Sequence, residues 1–192
     1  MGESSVIETT QKVMKLFKDN GIDCWIIGGV LLRLYRGDDV SKLDDDIDLG
    51  FFMKDKEKVL NFLSTWVIVH RWDKVAVMNY KGCQVDMFFC DEDDNSIYLY
   101  AYYSDASTKY CNIEWRAKYP KETHLPLRDY TFKNGITLTT PNNIERVLEL
   151  HYGVDWRIPI DKTWYYWFVP AKDPDYLKRD MNKMNEKGEI IF

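Results

Sequence analysis

Apolar residues recur along the chain with two periods, and each change of period marks an element. Ile7, Val13, Met14 and Phe17 fall on one face of a helix that Asn20-Gly21 closes. Cys24-Trp25-Ile26-Ile27 is a short unbroken apolar run of the kind a buried strand shows. Gly28-Gly29 ends that run, and Val30 to Tyr35 reads as a helical turn. The predicted unit is strand, glycine turn, helix. After a polar loop from Arg36 to Lys42, Ile47, Leu49 and Phe51 alternate with Asp46, Asp48 and Gly50, which predicts a strand with aspartates on one face. Lys54 to Ser64 carries Val59, Leu60 and Leu63 at helical spacing. Three β-rich runs follow, Trp66–His70, Lys74–Tyr80 and Cys83–Cys90, with Lys81-Gly82 as the turn between the last two.

Asp91–Asn95 reads as an acidic turn and Ile97–Tyr103 as a tyrosine-rich strand. Thr131–Thr139 resembles a hairpin with Asn134-Gly135 at its tip. Pro141 then suits the first turn of a helix running to about Leu150, with Thr140 as its N-cap. From Tyr103 to Asp129 the pattern gives no clear element, and beyond Tyr152 there is none until Tyr176–Asn185. With no internal repeat and no low-complexity linker, the chain reads as one domain over residues 1–160, with a C-terminal extension, 161–192, packing on it.

Composition narrows the class. Of 192 residues, 45% are hydrophobic and 15% aromatic, enough to build one sizeable core. A formal charge of −5 leaves no basic field over the surface, so general nucleic-acid binding is not expected. Cys24, Cys83, Cys90 and Cys111 show no CxxC spacing, and three of them lie in apolar segments, which argues against both zinc and disulfides. The N-terminus has no apolar signal-peptide core, and nowhere do 18 apolar residues run without a charge. A soluble protein of a reducing compartment, the cytoplasm, is expected, without a membrane span.

The chemistry concentrates in the aspartates. Asp44, Asp45, Asp46 and Asp48 fall within five residues, directly before an apolar strand. Strand alternation aims Asp46 and Asp48 at one point, with Asp44 in line if the strand begins that early. Like charges this close repel unless a cation lies between them, and magnesium, or manganese, prefers such hard oxygen ligands. Asp86 interrupts the apolar run Val85 to Phe89, where an unpaired carboxylate is costly, so it is the candidate third ligand. Acidic runs are usually solvated surface, as Asp91–Asp94 is expected to be; the alternation after Asp46 and the glycine turn before it favour the metal. The Gly28-Gly29 turn would let backbone approach a phosphate at a helix N-terminus.

Together, Gly28-Gly29, Asp46-Ile47-Asp48 and Asp86 resemble the pattern of the nucleotidyltransferase superfamily. More narrowly, the chain resembles the LicD/fukutin family of phosphotransferases. The residues carrying this are Gly28-Gly29-Val30-Leu31-Leu32 with Arg36-Gly37, then Leu43-Asp44-Asp45-Asp46-Ile47-Asp48-Leu49, then His151-Tyr152-Gly153-Val154-Asp155-Trp156 followed by Pro159. The likeness spans about residues 20 to 160. It departs from the family pattern at Leu43, where a tryptophan is usual, and at Arg33, where a small residue is usual.

The resemblance implies an α+β fold, a mixed β-sheet with flanking helices, and transfer of a phosphorylated alcohol, phosphocholine or polyol phosphate, from a CDP-linked donor to a glycan hydroxyl. Asp46 and Asp48 would bind the metal that bridges the donor phosphates, and Asp86 would help hold it or take the acceptor's proton. Gly28 and Gly29 would cradle phosphate, Arg36 would neutralise it, Asp44 would join the substrate site, and Tyr152 and Trp156 would stack on a base or sugar. Two alternatives stay open. One is transfer of a nucleoside monophosphate from a triphosphate to a small molecule, protein or RNA. The other is a non-catalytic glycan- or protein-binding role.

Overall fold

The amphipathic N-terminal segment forms helix α1 (Val6–Asp19), which buries Ile7, Val13, Met14 and Phe17. It stops where Gly21 takes a positive φ of 65° and the Asn20 and Gly21 N–H groups close on Phe17 and Lys18 carbonyls. The computed structural model describes residues 6–38, 46–65, 67–71, 74–103, 113–159 and 189–190. Asp44, Asp45, Cys111 and the predicted Tyr176–Asn185 segment lie outside the described residues.

Strand β1 (Cys24–Ile26) runs into helix α2 (Gly28–Arg36), so the helix begins at the glycine pair itself and not at Val30. Strand β2 (Asp46–Phe52) returns antiparallel to β1, and two 3-10 turns flank helix α3 (Lys56–Phe62). Strands β3 (Val67–Arg71), β4 (Val75–Tyr80) and β5 (Cys83–Glu92) follow. β5 pairs parallel with β2 and antiparallel with β4, and β3 pairs β4. The β4–β5 turn has Lys81 at φ 54° and Gly82 at φ 91°, both left-handed, as a tight hairpin requires.

The far end of β5 hands over to β6 (Ser96–Tyr103), then β7 (Ile113–Pro120), which is joined in parallel by the short β10 (Glu189–Ile190). A single turn, α4 (Lys121–His124), leads to the separate ribbon of β8 (Arg128–Thr131) and β9 (Thr137–Thr140), and then to α5 (Ile144–Tyr152). This is a mixed sheet with flanking helices, the architecture expected.

Two expectations need correction. Asp91 and Glu92 continue β5 and pair with Tyr98 and Ile97, so only the segment after Glu92 turns. The cap of α5 is Asn143, whose side-chain oxygen accepts the Arg146 N–H at 3.0 Å; Thr140 is instead held in β9 opposite Arg128. Strand β2 is covered on both faces: Asp46 is half-buried and every residue from Ile47 to Phe52 is buried. The reason is a second layer. Ile47, Leu49 and Phe51 join the core beneath α1, α2 and α3, while Trp25, Phe52, Phe88 and Tyr119 build another cluster. Trp25 lies so close over Gly50 that a Cβ there would stand 2.4 Å from its ring, so only glycine fits.

His124 sits in this second layer, 4% exposed, with its Nδ1 3.0 Å from the Thr123 hydroxyl and its ring edge-on to Tyr119 and Trp25. Burial, reinforced by neighbouring His151, pushes its pKa down from 6.5 to about 3. A depressed pKa means the neutral imidazole's contribution is complete above the unfolded value and is lost as pH falls from 6.5 toward 3. This group should therefore cost about 2 kcal/mol of unfolding free energy between pH 7.5 and pH 5. In urea denaturation the wild type should lose about 2 kcal/mol more than His124→Leu between pH 7.5 and pH 5; equal pH slopes would refute it.

Candidate active site

Parallel pairing of β2 with β5 sets Asp48 directly beside Asp86, in register, and the two-residue period puts Asp46 on the same face. One carboxylate oxygen from each of the three lies within 4.8 Å of the others, a spacing that suits one shared cation. The predicted convergence of 46, 48 and 86 is thus found. Asp44 lies outside the described residues.

The fit is tightest at Asp48, only 3% exposed. Gly28 adopts φ 64°, and a Cβ added there would stand 2.1 Å from Asp48 Oδ2, so the carboxylate rests on the glycine's bare Cα. The Gly29 N–H donates to Asp48, and the Ile27 N–H donates to its carbonyl at 3.1 Å. The other oxygen, Oδ1, is buried without a hydrogen-bond partner. Burial first, then the charges of Asp46 and Asp86, push the Asp48 pKa well above the usual carboxylate range, against the lowering by the Gly29 bond. An acid shifted upward stabilises the fold only below its unfolded pKa and loses that contribution as pH rises.

Asp86 is half-buried and accepts from Gln84 Nε2 at 2.9 Å. Burial raises its pKa to about 6, with Gln84 opposing and Asp46 adding to the rise. Gln84 was not singled out in the sequence, although its place two residues before Asp86 on one strand face was there to read. A buried orphan oxygen among three mutually repelling carboxylates is the donor set a hard divalent cation satisfies. Beside it, the space over Gly29 is open, with nothing within 4 Å of where a Cβ would be.

The remaining predicted residues lie along α2 and after α5. Tyr152 packs on His151, ring centroids 4.6 Å apart, and its phenol is held above its ordinary range by burial, then by Asp48, with Arg36 acting against the rise. Arg36 ends α2 and pairs through Nε and Nη2 with Asp38, while Nη1 donates to the Trp156 carbonyl at 3.4 Å. Its charge is therefore already partnered. Trp156 is 5% exposed, with the Tyr35 ring tilted against it at 5.8 Å and Arg157 over its face. No helix among the described residues is long and apolar enough to cross a membrane. Cys24 and Cys90 are buried free thiols.

A glycine-opened helix over paired strand aspartates, on a mixed sheet of this order, defines a nucleotidyltransferase-type domain. The crystal structure of lincosamide antibiotic adenylyltransferase LnuA, lincomycin-bound, superposes with a TM-score of 0.51 at 14% identity over 72% of this chain and 82% of that one, and so shares the fold. Residues 21–143 match the family described as LicD/FKTN/FKRP, nucleotidyltransferase domain, and the chain belongs to that family. Human ribitol 5-phosphate transferase FKRP is 26% identical over 156 residues, covering 76% of this chain and 30% of its own length. Human ribitol-5-phosphate transferase FKTN is 24% identical over 196 residues, covering 97% and 40%. The chain spans less than half the length of these relatives.

The two glycines should respond oppositely to one added methyl group. Gly28→Ala forces a left-handed alanine against Asp48 and should cost at least about 2 kcal/mol. Gly29→Ala, in helical geometry with open space, should be neutral or stabilise by about 0.5 kcal/mol. Equal effects in chemical denaturation would contradict the described packing.

Proposed function

We propose that the chain is a metal-dependent transferase that moves a phosphorylated alcohol, phosphocholine or polyol phosphate, from a CDP-linked donor to a glycan hydroxyl. The observation that carries the reading is the buried, orphaned Asp48 Oδ1 within a three-carboxylate cluster. Family membership supports the reaction class, and the names of the human relatives support the polyol phosphate. Asp46, Asp48 and Asp86 would hold Mg2+ or Mn2+, which when bound neutralises the diphosphate and its leaving group.

The chain's own groups divide the remaining tasks. Gly28 lets the Asp48 carboxylate approach the helix backbone, and the Gly29 N–H fixes its orientation. The open surface over Gly29 gives a phosphate room to reach the start of α2, where the positive end of the helix dipole favours it. Asp86 would help to hold the metal or, left outside its coordination, accept the acceptor hydroxyl's proton. The acceptor oxygen bonds to the alcohol-bearing phosphorus, the bond to the CMP oxygen breaks, and the hydroxyl proton passes to the carboxylate. The buried thiols fit a reducing, cytoplasmic setting.

Incubation with CDP-ribitol or CDP-choline, Mg2+ and a glycan should release CMP; release of pyrophosphate from a nucleoside triphosphate would instead favour nucleotidyl transfer. Asp48→Asn removes the buried negative charge, so it should raise the melting temperature of the metal-free protein while lowering turnover at least about a hundredfold. Millimolar Mg2+ should raise the wild-type melting temperature and leave Asp48→Asn unmoved. A variant that keeps full turnover would end this reading.

A further inference from the structure

The carboxylate site is graded along strand β5. Phe88 is buried, Asp86 is half-buried and Gln84 is exposed, and the two-residue spacing puts all three on one face of the sheet. Strand β2 shows the same gradient in the same direction, from buried Gly50 and Asp48 to half-buried Asp46. The pairing register sets Asp46 across from Gln84 and Asp48 across from Asp86. The site therefore opens to solvent at the rung that Asp46 shares with Gln84, and Gln84 stands at its mouth.

Little freedom is left to the backbone there. Gln84 is paired on one side with Asp46 of β2 and on the other with Asn79 of β4. The tight turn at Lys81-Gly82 closes just before it, with Asn79 Oδ1 accepting the Gly82 N–H at 2.9 Å. Only the side-chain torsions of Gln84 remain to be set, and the Nε2 bond to Asp86 Oδ1, 2.9 Å long, sets them.

An ionised carboxylate only accepts, so the amide must present its NH2 group to Asp86. With Oδ1 engaged, the rotation of the Asp86 carboxylate is fixed, and the bond leaves Oδ2 for another partner. An exposed hydrogen bond of this kind adds little to the stability of the fold, since water would serve either group nearly as well. Its consequence falls on orientation. Asp48 is oriented in the same way by the Gly29 N–H, so each of these two carboxylates has a neutral donor of its own. Neutrality matters at this position. A lysine at 84 could also hold Asp86 but would cancel part of the negative charge that attracts a divalent ion, whereas an amide orients without neutralising.

We infer that Gln84 is a positioning residue, which fixes the Asp86 carboxylate in the rotation that lets it share one divalent cation with Asp46 and Asp48. This role rests on the proposed transferase reading, in which Asp86 holds the metal; Gln84 acts on the ion through Asp86 alone.

The test titrates the full chain with Mn2+ alone, following free Mn2+ by electron paramagnetic resonance, beside the melting temperature of the metal-free protein. Gln84→Leu keeps the bulk of the side chain and removes the donor. It should weaken Mn2+ binding about tenfold and leave the metal-free melting temperature within about 2 °C of the wild type. Asn79→Leu, on the exposed position directly across from Gln84, should keep the Mn2+ affinity within about twofold, because that side chain bonds to the turn and not to a carboxylate. Equal Mn2+ affinity in the wild type and Gln84→Leu overturns the inference. So does an equal weakening in Asn79→Leu, which would make the effect one of polarity at the mouth. A loss of affinity accompanied by a clear drop in the metal-free melting temperature also overturns it, since the role would then be structural. No Mn2+ binding by the wild type is a different result: it ends the metal-dependent reading itself, and the positioning role with it.

Discussion

The arrangement depends on one unfavourable contact: a buried carboxylate, Asp48, set between two others and pressed against backbone. Ordinary packing would not choose it, since burial and like charge both disfavour the ionised form. The surrounding structure holds it regardless. Gly28 yields the space a side chain would occupy, the Gly29 N–H restrains one oxygen, and parallel pairing with β5 prevents Asp86 from drifting away. Such local conflict inside an otherwise consistent core is what a functional site looks like when its partner belongs to the reaction and not to the fold.

The second layer of the sheet explains why the conflict is sustained. Trp25 over Gly50, Phe52, Phe88 and Tyr119 cover the face that carries the aspartates, so water cannot easily relieve the repulsion from that side. The same covering keeps His124 neutral. Burial therefore acts twice, raising acids and lowering a base, and both shifts arise from one apolar layer.

Much of this was legible in residue order. The period of two through Asp46 and Asp48, the glycine pair before α2 and the lone aspartate within Val85–Phe89 were enough to name the three carboxylates. What strand alternation cannot supply is the second cover, because a strand buried on both faces looks half-solvated when polar groups mark one side. The cap of α5 was misplaced for a related reason: Thr140 and Asn143 are both good caps, and only the pairing of β9 with β8 removes the first. Trp156 was singled out in the motif, but its ring neighbour Tyr35, and Tyr130 beyond it, lie in distant segments with no shared motif.

The parallel union of β2 and β5 also carries a kinetic implication. Asp48 and Asp86 are brought together across the intervening helix and hairpin, since no tight turn can join parallel strands. Assembly of the acidic cluster is thus a long-range event, and pairing of this kind is intrinsically slow. A cation held by the three carboxylates would act as a latch on the finished sheet, coupling maturation of the domain to ion binding.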